Sequence, residues 1–135
     1  MNTESTETNG ISYEWSNKKI LIAEDELVNF KYIERILLPT KIKIIHASDG
    51  EQAVQLFTKH QDVSIILMDI RMPEMSGIEA TKQIRNIKRT VPIIAFTAFA
   101  LTNDEVDAIN YGCNDYISKP SKPQFILQKL AEFIK

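Results

Sequence analysis

Cysteine is nearly absent from this chain of 135 residues, Cys113 being the only one. No internal disulfide can form, and the setting Gly112-Cys113-Asn114 offers no partners for a thiolate metal site. Cys113 reads as a small packing residue, and a lone thiol suits a reducing cytoplasm. Long apolar runs are missing as well. None approaches the ~20 residues that cross a bilayer, so no membrane contact is expected. The first ten residues lack the apolar stretch of a secretory signal. Charge of one sign is also missing: 16 Lys and Arg stand against 18 Asp and Glu, a formal net charge of −2. The basic residues are spread along the chain rather than gathered into a stripe, which argues against direct contact with nucleic acid.

What is present fits one domain with its own core. Residues 1–17 are mostly Thr, Glu, Ser and Asn, and this composition reads as a flexible linker ahead of a domain at 18–135. Tyr13 and Trp15 stand out in it, and are expected to pack back on the domain or on a neighbour. Strand-length apolar runs then alternate with helical patterns. Strands are expected at 19–23, 42–46, 63–68, 92–96 and 116–118. Helices are expected at about 26–38, 50–59, 77–88, 102–110 and 122–134, with Asn29, Ile33, Ile36 and Leu37 sharing the inner face of the first. Uninterrupted runs such as Ile65-Ile66-Leu67-Met68 indicate strands covered on both faces. The expected fold is therefore α/β: a doubly wound, five-stranded parallel sheet in the order 2-1-3-4-5, flavodoxin-like.

In such a sheet, ligands bind beyond the carboxyl ends of the strands. There the first strand ends in Glu24, Asp25 and Glu26, the third in Asp69, the fourth in Thr97, and the fifth in Lys119 and Pro120. Carboxylates converging at one edge repel one another unless a cation offsets them, and a hard divalent ion such as Mg²⁺ suits oxygen ligands that also meet phosphate. The Lys119 ammonium and the Thr97 hydroxyl suit an anionic phosphoryl group, and a carboxylate can carry one as an aspartyl phosphate. Asp69, central in the expected sheet, is the candidate nucleophile. Each residue also has a plainer reading. Asp69 alone would be a turn residue, Glu24 and Asp25 would cap a helix, Lys119 and Thr97 would be surface and strand-end residues, and Tyr116 would be half-buried core.

Four segments together carry more weight: Ile22-Ala23-Glu24-Asp25-Glu26, the stretch from Leu67 through Asp69 and Pro73 to Gly77, Phe96-Thr97-Ala98, and the stretch from Gly112 through Tyr116 to Lys119-Pro120. In this order and spacing they resemble the response-regulator receiver family, from about Lys18 to the C-terminus. The resemblance implies a phosphoacceptor at Asp69 and an Mg²⁺ site made by Asp25, Asp69, the main-chain carbonyl of Arg71 and, through water, Glu24. It implies a phosphoryl-contacting Lys119 joined to Pro120 by a cis bond, and a switch pair in Thr97 and Tyr116. Glu24 stands where many members have Asp, a common variant. Arg71 and Phe99 match the positions that flank the path of attacking water, so a bulky Phe99 implies a long-lived phosphate.

The donor implied is a phosphohistidine on a histidine kinase or histidine phosphotransfer domain, with Leu27 and Phe30 as a partly exposed docking surface. His46 and His60 read as surface residues, and neither has the setting of a kinase phosphohistidine. The domain would be a phosphoacceptor rather than an enzyme, and a monomer or weak dimer. A single-domain receiver, the receiver of a hybrid histidine kinase and the front half of a transcription factor all fit. The polar leader and the run Ala23 to Asn29 favour the hybrid kinase. A haloacid-dehalogenase-type phosphatase is disfavoured because Arg71 stands where its second Asp is needed. Flavin binding is disfavoured because Glu24, Asp25 and Glu26 would repel the cofactor's phosphate. A pseudo-receiver, a binding module without chemistry, is the remaining alternative.

Overall fold

The computed structural model describes residues 12–98 and 100–134. Five strands, β1 (Lys19–Ala23), β2 (Lys43–Ala47), β3 (Ile65–Asp69), β4 (Ile93–Thr97) and β5 (Asp115–Ser118), form one sheet in the order β2-β1-β3-β4-β5. All four pairings are parallel. The connecting helices are α1 (Leu27–Leu37), α2 (Gly50–Lys59), α3 (Gly77–Ile87), α4 (Asn103–Gly112) and α5 (Pro123–Ala131). This is the doubly wound α/β fold and strand order expected of the sequence.

Successive strand residues point to opposite faces, and here both faces are apolar. Ile20, Ile22, Ile65, Leu67, Ile94, Phe96 and Ile117 pack against α1 and α5 on one side. Leu21, Ala23, Ile66, Met68 and Ile93 pack against α2 and α3 on the other. A smaller cluster of Ile70, Ala95 and Ile109 seats α4. Trp15 joins the first cluster, stacks on Tyr13 at 4.9 Å between ring centroids, and donates its main-chain N–H to the Thr40 carbonyl. The packed body therefore begins ahead of Lys18, within the segment whose composition reads as linker.

Local chemistry explains the helix starts. Asp49 and Ser76 accept the main-chain N–H of Gln52 and Glu79, and Thr102 with Glu105 forms a capping box. Helix α5 begins on Pro123, which supplies a fixed φ where no intrahelical donor is required. Helix α1 gives way to a 3₁₀ turn at Leu38–Thr40, where Pro39 cannot continue the ladder.

Register decides what meets at the carboxyl edge. Ala23 lies beside Met68, Asp69 beside Phe96, and Thr97 beside Ser118. Residues that close their strands, or follow them directly, are thus brought to one rim. The loop after β3 returns tightly over this rim. Gly77 donates its N–H to the Ile70 carbonyl, and a Cβ at Gly77 would lie 2.0 Å from the Asp69 carbonyl oxygen, so only glycine fits there.

Candidate functional site

Glu24 and Asp69 are buried, 1% and 5% exposed, whereas Asp25 faces solvent. Carboxylate oxygens of the three lie within 4.8 Å of one another. The ammonium of Lys119, half-buried, donates to Glu24 Oε1 at 2.5 Å and to Asp69 Oδ2 at 3.1 Å. The remaining oxygens are held by the main chain: Glu26 N–H donates to Glu24 Oε2 at 3.1 Å and Arg71 N–H to Asp69 Oδ1 at 3.2 Å. Lys119 also lies 4.9 Å from the centroid of the Phe96 ring. Its position follows from the sheet edge, because Lys119 N–H extends the β5 ladder to the Thr97 carbonyl at 3.0 Å. The Lys119–Pro120 bond is cis.

One ammonium among three carboxylates leaves the cluster short of positive charge. Burial pushes the Asp69 carboxyl up to about 6, the nearby Glu24 charge pushes it the same way, and Lys119 with the Arg71 N–H opposes both. Burial disfavours the Lys119 charge, but the hydrogen bond to Glu24 and the Asp69 charge outweigh it, so its pKa is raised. A cleft of about 280 Å³ opens over these groups, with Glu26, Asn29, Arg71 and Ala98 on its rim. Three carboxylates with oxygens this close and charge uncompensated fit a hard divalent cation, which takes oxygen ligands and keeps several waters.

The structure brings together Glu24, Asp25, Asp69, Arg71 and Lys119 around one cleft. Thr97 closes β4 at the same rim and is fully buried. Tyr116 is half-buried against the Ile70, Ala95 and Ile109 cluster. The Arg71 side chain reaches toward α4, donating to Glu105 Oε1 at 2.8 Å and to the Ala100 carbonyl at 3.3 Å. Phe99, expected to shield the phosphate, lies outside the described residues.

One expected site residue is corrected. Leu27 is 62% exposed, but Phe30 is buried and forms no docking surface. It shares the inner stripe of α1 with Ile33 and Leu37, one and two turns on, and its ring stacks on His46 at 3.7 Å. His46 is corrected with it. Rather than a surface residue, it is half-buried, with Nε2 2.9 Å from the Glu24 carbonyl oxygen. Period-two spacing from Ile44 places His46 on the α1 side of the sheet, a signal legible in β2. Sequence reading also missed Arg85. Its guanidinium donates to the carbonyls of Gly112 and Val91 at 2.8 and 2.7 Å and to Asn114 Oδ1 at 2.9 Å, tying α3 to the start of β5.

The chain is thus a doubly wound α/β protein with an acidic cluster and a lysine at the switch point of its parallel sheet. The chain belongs to the response regulator receiver domain family, whose model matches residues 20–131. It is 39% identical over 112 residues to the polar-differentiation response regulator DivK of Brucella ovis, covering 81% of this chain and 90% of that protein. It is 36% identical over 139 residues to hybrid signal transduction histidine kinase I of Dictyostelium discoideum, covering 95% of this chain and 8% of the kinase. Among solved structures, the receiver domain of the Pseudomonas aeruginosa sensor histidine kinase PA1611, with magnesium in its active-site cleft, is 39% identical, with a TM-score of 0.78 over 87% of this chain and 97% of that one. The Saccharomyces cerevisiae co-crystal of the phosphotransfer protein Ypd1 and the Ssk1 receiver matches at 31% identity and a TM-score of 0.79, over 92% of each chain. No helix among the described residues is long and apolar enough to cross a membrane.

Proposed function

We propose that this domain accepts a phosphoryl group on Asp69 from a phosphohistidine of a histidine kinase or histidine phosphotransfer domain, with Mg²⁺, and switches or relays the signal. The observation that carries this reading is Lys119, whose ammonium bridges Glu24 and Asp69 at the rim of the sheet. A side chain held there meets both the nucleophile and the oxygens of an incoming phosphoryl group. The same reading agrees with the magnesium described in the PA1611 receiver and with the phosphotransfer protein bound to the Ssk1 receiver.

A carboxylate oxygen of Asp69 forms the O–P bond as the N–P bond of phosphohistidine breaks, and the electron pair returns to the imidazole. Asp25, Asp69, the Arg71 carbonyl and, through water, Glu24 would hold Mg²⁺, which supplies positive charge against the phosphoryl oxygens. Lys119 follows the charge from the free carboxylate to the new phosphate. The Arg71 N–H steadies the Asp69 oxygen that it already contacts. The domain acts as a phosphoacceptor that assists its own labelling rather than as a turnover enzyme. The phosphate then draws the Thr97 hydroxyl, Tyr116 moves inward, and the surface of β4, α4 and β5 repacks. Arg71 flanks the water path, and Leu27 serves in docking the donor.

The test is intact mass after incubation with Mg²⁺ and acetyl phosphate, beside Asp69→Ala. One phosphoryl adduct is expected on the wild type, and none on the variant or without Mg²⁺. A folded, Mg²⁺-binding wild type that takes phosphate neither from acetyl phosphate nor from a phosphorylated histidine phosphotransfer domain would make the chain a binding module only.

A further inference from the structure

A second cleft, about 370 Å³, lies between α3 and α4, away from the carboxylates. One wall carries Lys82 and Arg85, a turn apart on α3, and Arg89, which follows the helix end at Ile87. No carboxylate lines it. None of these three cations has an ion-pair partner among the described residues. Arg85 is not a free surface charge. Its bonds to Gly112, Val91 and Asn114 hold the guanidinium still at the cleft wall, so a positive potential is built into the site. The opposite wall ends in Tyr111, whose ring is 88% exposed. A tyrosine this open covers nothing in the domain.

Cations on one wall and an open aromatic ring on the other suit a ligand with an anionic end and a flat aromatic end. Phosphates meet ammonium and guanidinium groups by charge-assisted hydrogen bonds, and bases stack on tyrosine. The volume falls within the ~300–1,000 Å³ usual for small-molecule sites. We propose that the cleft between α3 and α4 binds a purine nucleotide, its phosphates held by Lys82 and Arg89 beside the fixed charge of Arg85 and its base stacked on Tyr111. An acidic protein segment would use the cations but would leave the exposed Tyr111 ring without a purpose, so the nucleotide is the better fit. The site is separate from Asp69, and the proposal does not depend on phosphoryl transfer.

Nuclear magnetic resonance of the full chain, titrated with ADP and with GDP in EDTA, reads the site directly. Leaving out Mg²⁺ keeps nucleotide from being recruited to the Asp69 cleft. At millimolar nucleotide, amide shifts should concentrate at Thr81, Lys82, Arg89, Tyr111 and Gly112. The double variant Lys82→Ala/Arg89→Ala should weaken binding roughly tenfold or more, and Tyr111→Ala several-fold. All three positions are solvent-exposed, so the fold should hold, and labelling of Asp69 by acetyl phosphate should be unchanged. Adenosine and pyrophosphate, each carrying half of the recognition, should bind more weakly than ADP. Absence of shifts with both nucleotides overturns the proposal, as do shifts confined to the Asp69 cleft. Pyrophosphate binding as tightly as ADP removes the base from the site and overturns it too. So does polyglutamate occupying the cleft more tightly than either nucleotide, which would assign it to an acidic protein segment.

Discussion

Lys119 is where most of the site's electrostatics meets. Replacing it with alanine leaves two buried carboxylates facing each other and removes the cation that would follow the charge onto the phosphate. Phosphorylation of Lys119→Ala by acetyl phosphate at saturating Mg²⁺ should fall ~100-fold or more, the usual cost of losing a preorganised partner for developing charge. Rapid sampling by intact mass checks this. Asp69 makes a second prediction, about pH. Its folded pKa of about 6 lies above the ordinary 3.8. Between these values the folded state holds the proton more tightly than the unfolded chain, so its stabilising contribution is full below the window and is lost as pH rises through it. In EDTA, the Tm of Asp69→Asn should exceed that of the wild type by a margin that widens from pH about 4 to about 7. Adding Mg²⁺ should close the margin. A constant margin would mean that Asp69 ionises normally.

At the scale of elements, α1 has two roles on two faces. Its inner stripe of Phe30, Ile33 and Leu37 seats the helix on the sheet, and Phe30 stacks on His46 under the Glu24 carbonyl. Its outer face exposes Leu27, the residue after Glu26 on the cleft rim. Phe30→Ala should cost ~3–5 kcal/mol in urea unfolding, as for other buried aromatics cut to alanine. Leu27→Asp should change stability by no more than ~0.5 kcal/mol. It should nevertheless slow transfer from a phosphorylated histidine phosphotransfer domain while leaving labelling by acetyl phosphate intact. Equal loss with both donors would place Leu27 in the chemistry rather than in docking. The two candidate stripes of α1 could not be separated from sequence. Leu27, Val28, Phe30, Ile33, Ile36 and Leu37 are apolar over more than half of the helix, and only contact with β1 and β2 decides which of them turn inward.

Across the whole molecule, Tyr13 and Trp15, ahead of the first strand, belong to the packed body. Trp15 adds a large ring to the α1–α5 layer and is the only tryptophan, so its fluorescence reports on global unfolding. A Trp15→Ala variant, followed by circular dichroism, should lose ~3 kcal/mol. A change below ~0.5 kcal/mol would show that the segment merely rests on the domain. Burying one face against α1 and α5 and the other against α2 and α3 is what lets a five-stranded sheet keep an uncovered carboxyl edge, and that edge is where the polar chemistry collects.

Much of this was legible in the amino-acid order alone. Apolar runs of strand length separated by helical periods specify a parallel doubly wound sheet, because a strand covered on both faces needs no polar alternation. Glu24, Asp25, Asp69, Thr97 and Lys119 could be placed together before any coordinates, since each ends or directly follows a strand, and parallel strands deliver their carboxyl ends to one rim. Asp49, Ser76 and Thr102 each cap a helix by bonding a main-chain N–H three positions on, so those starts depend on local sequence alone. The rest depended on contacts between distant segments. The burial of Phe30, the turn of His46 onto the Glu24 carbonyl, the seating of Trp15 and the pinning of Arg85 by Gly112, Val91 and Asn114 each require surfaces that exist only once the layers have packed. Local sequence sets which elements form and where they end; which of several apolar or polar faces turns inward is decided by the complementary surface it meets.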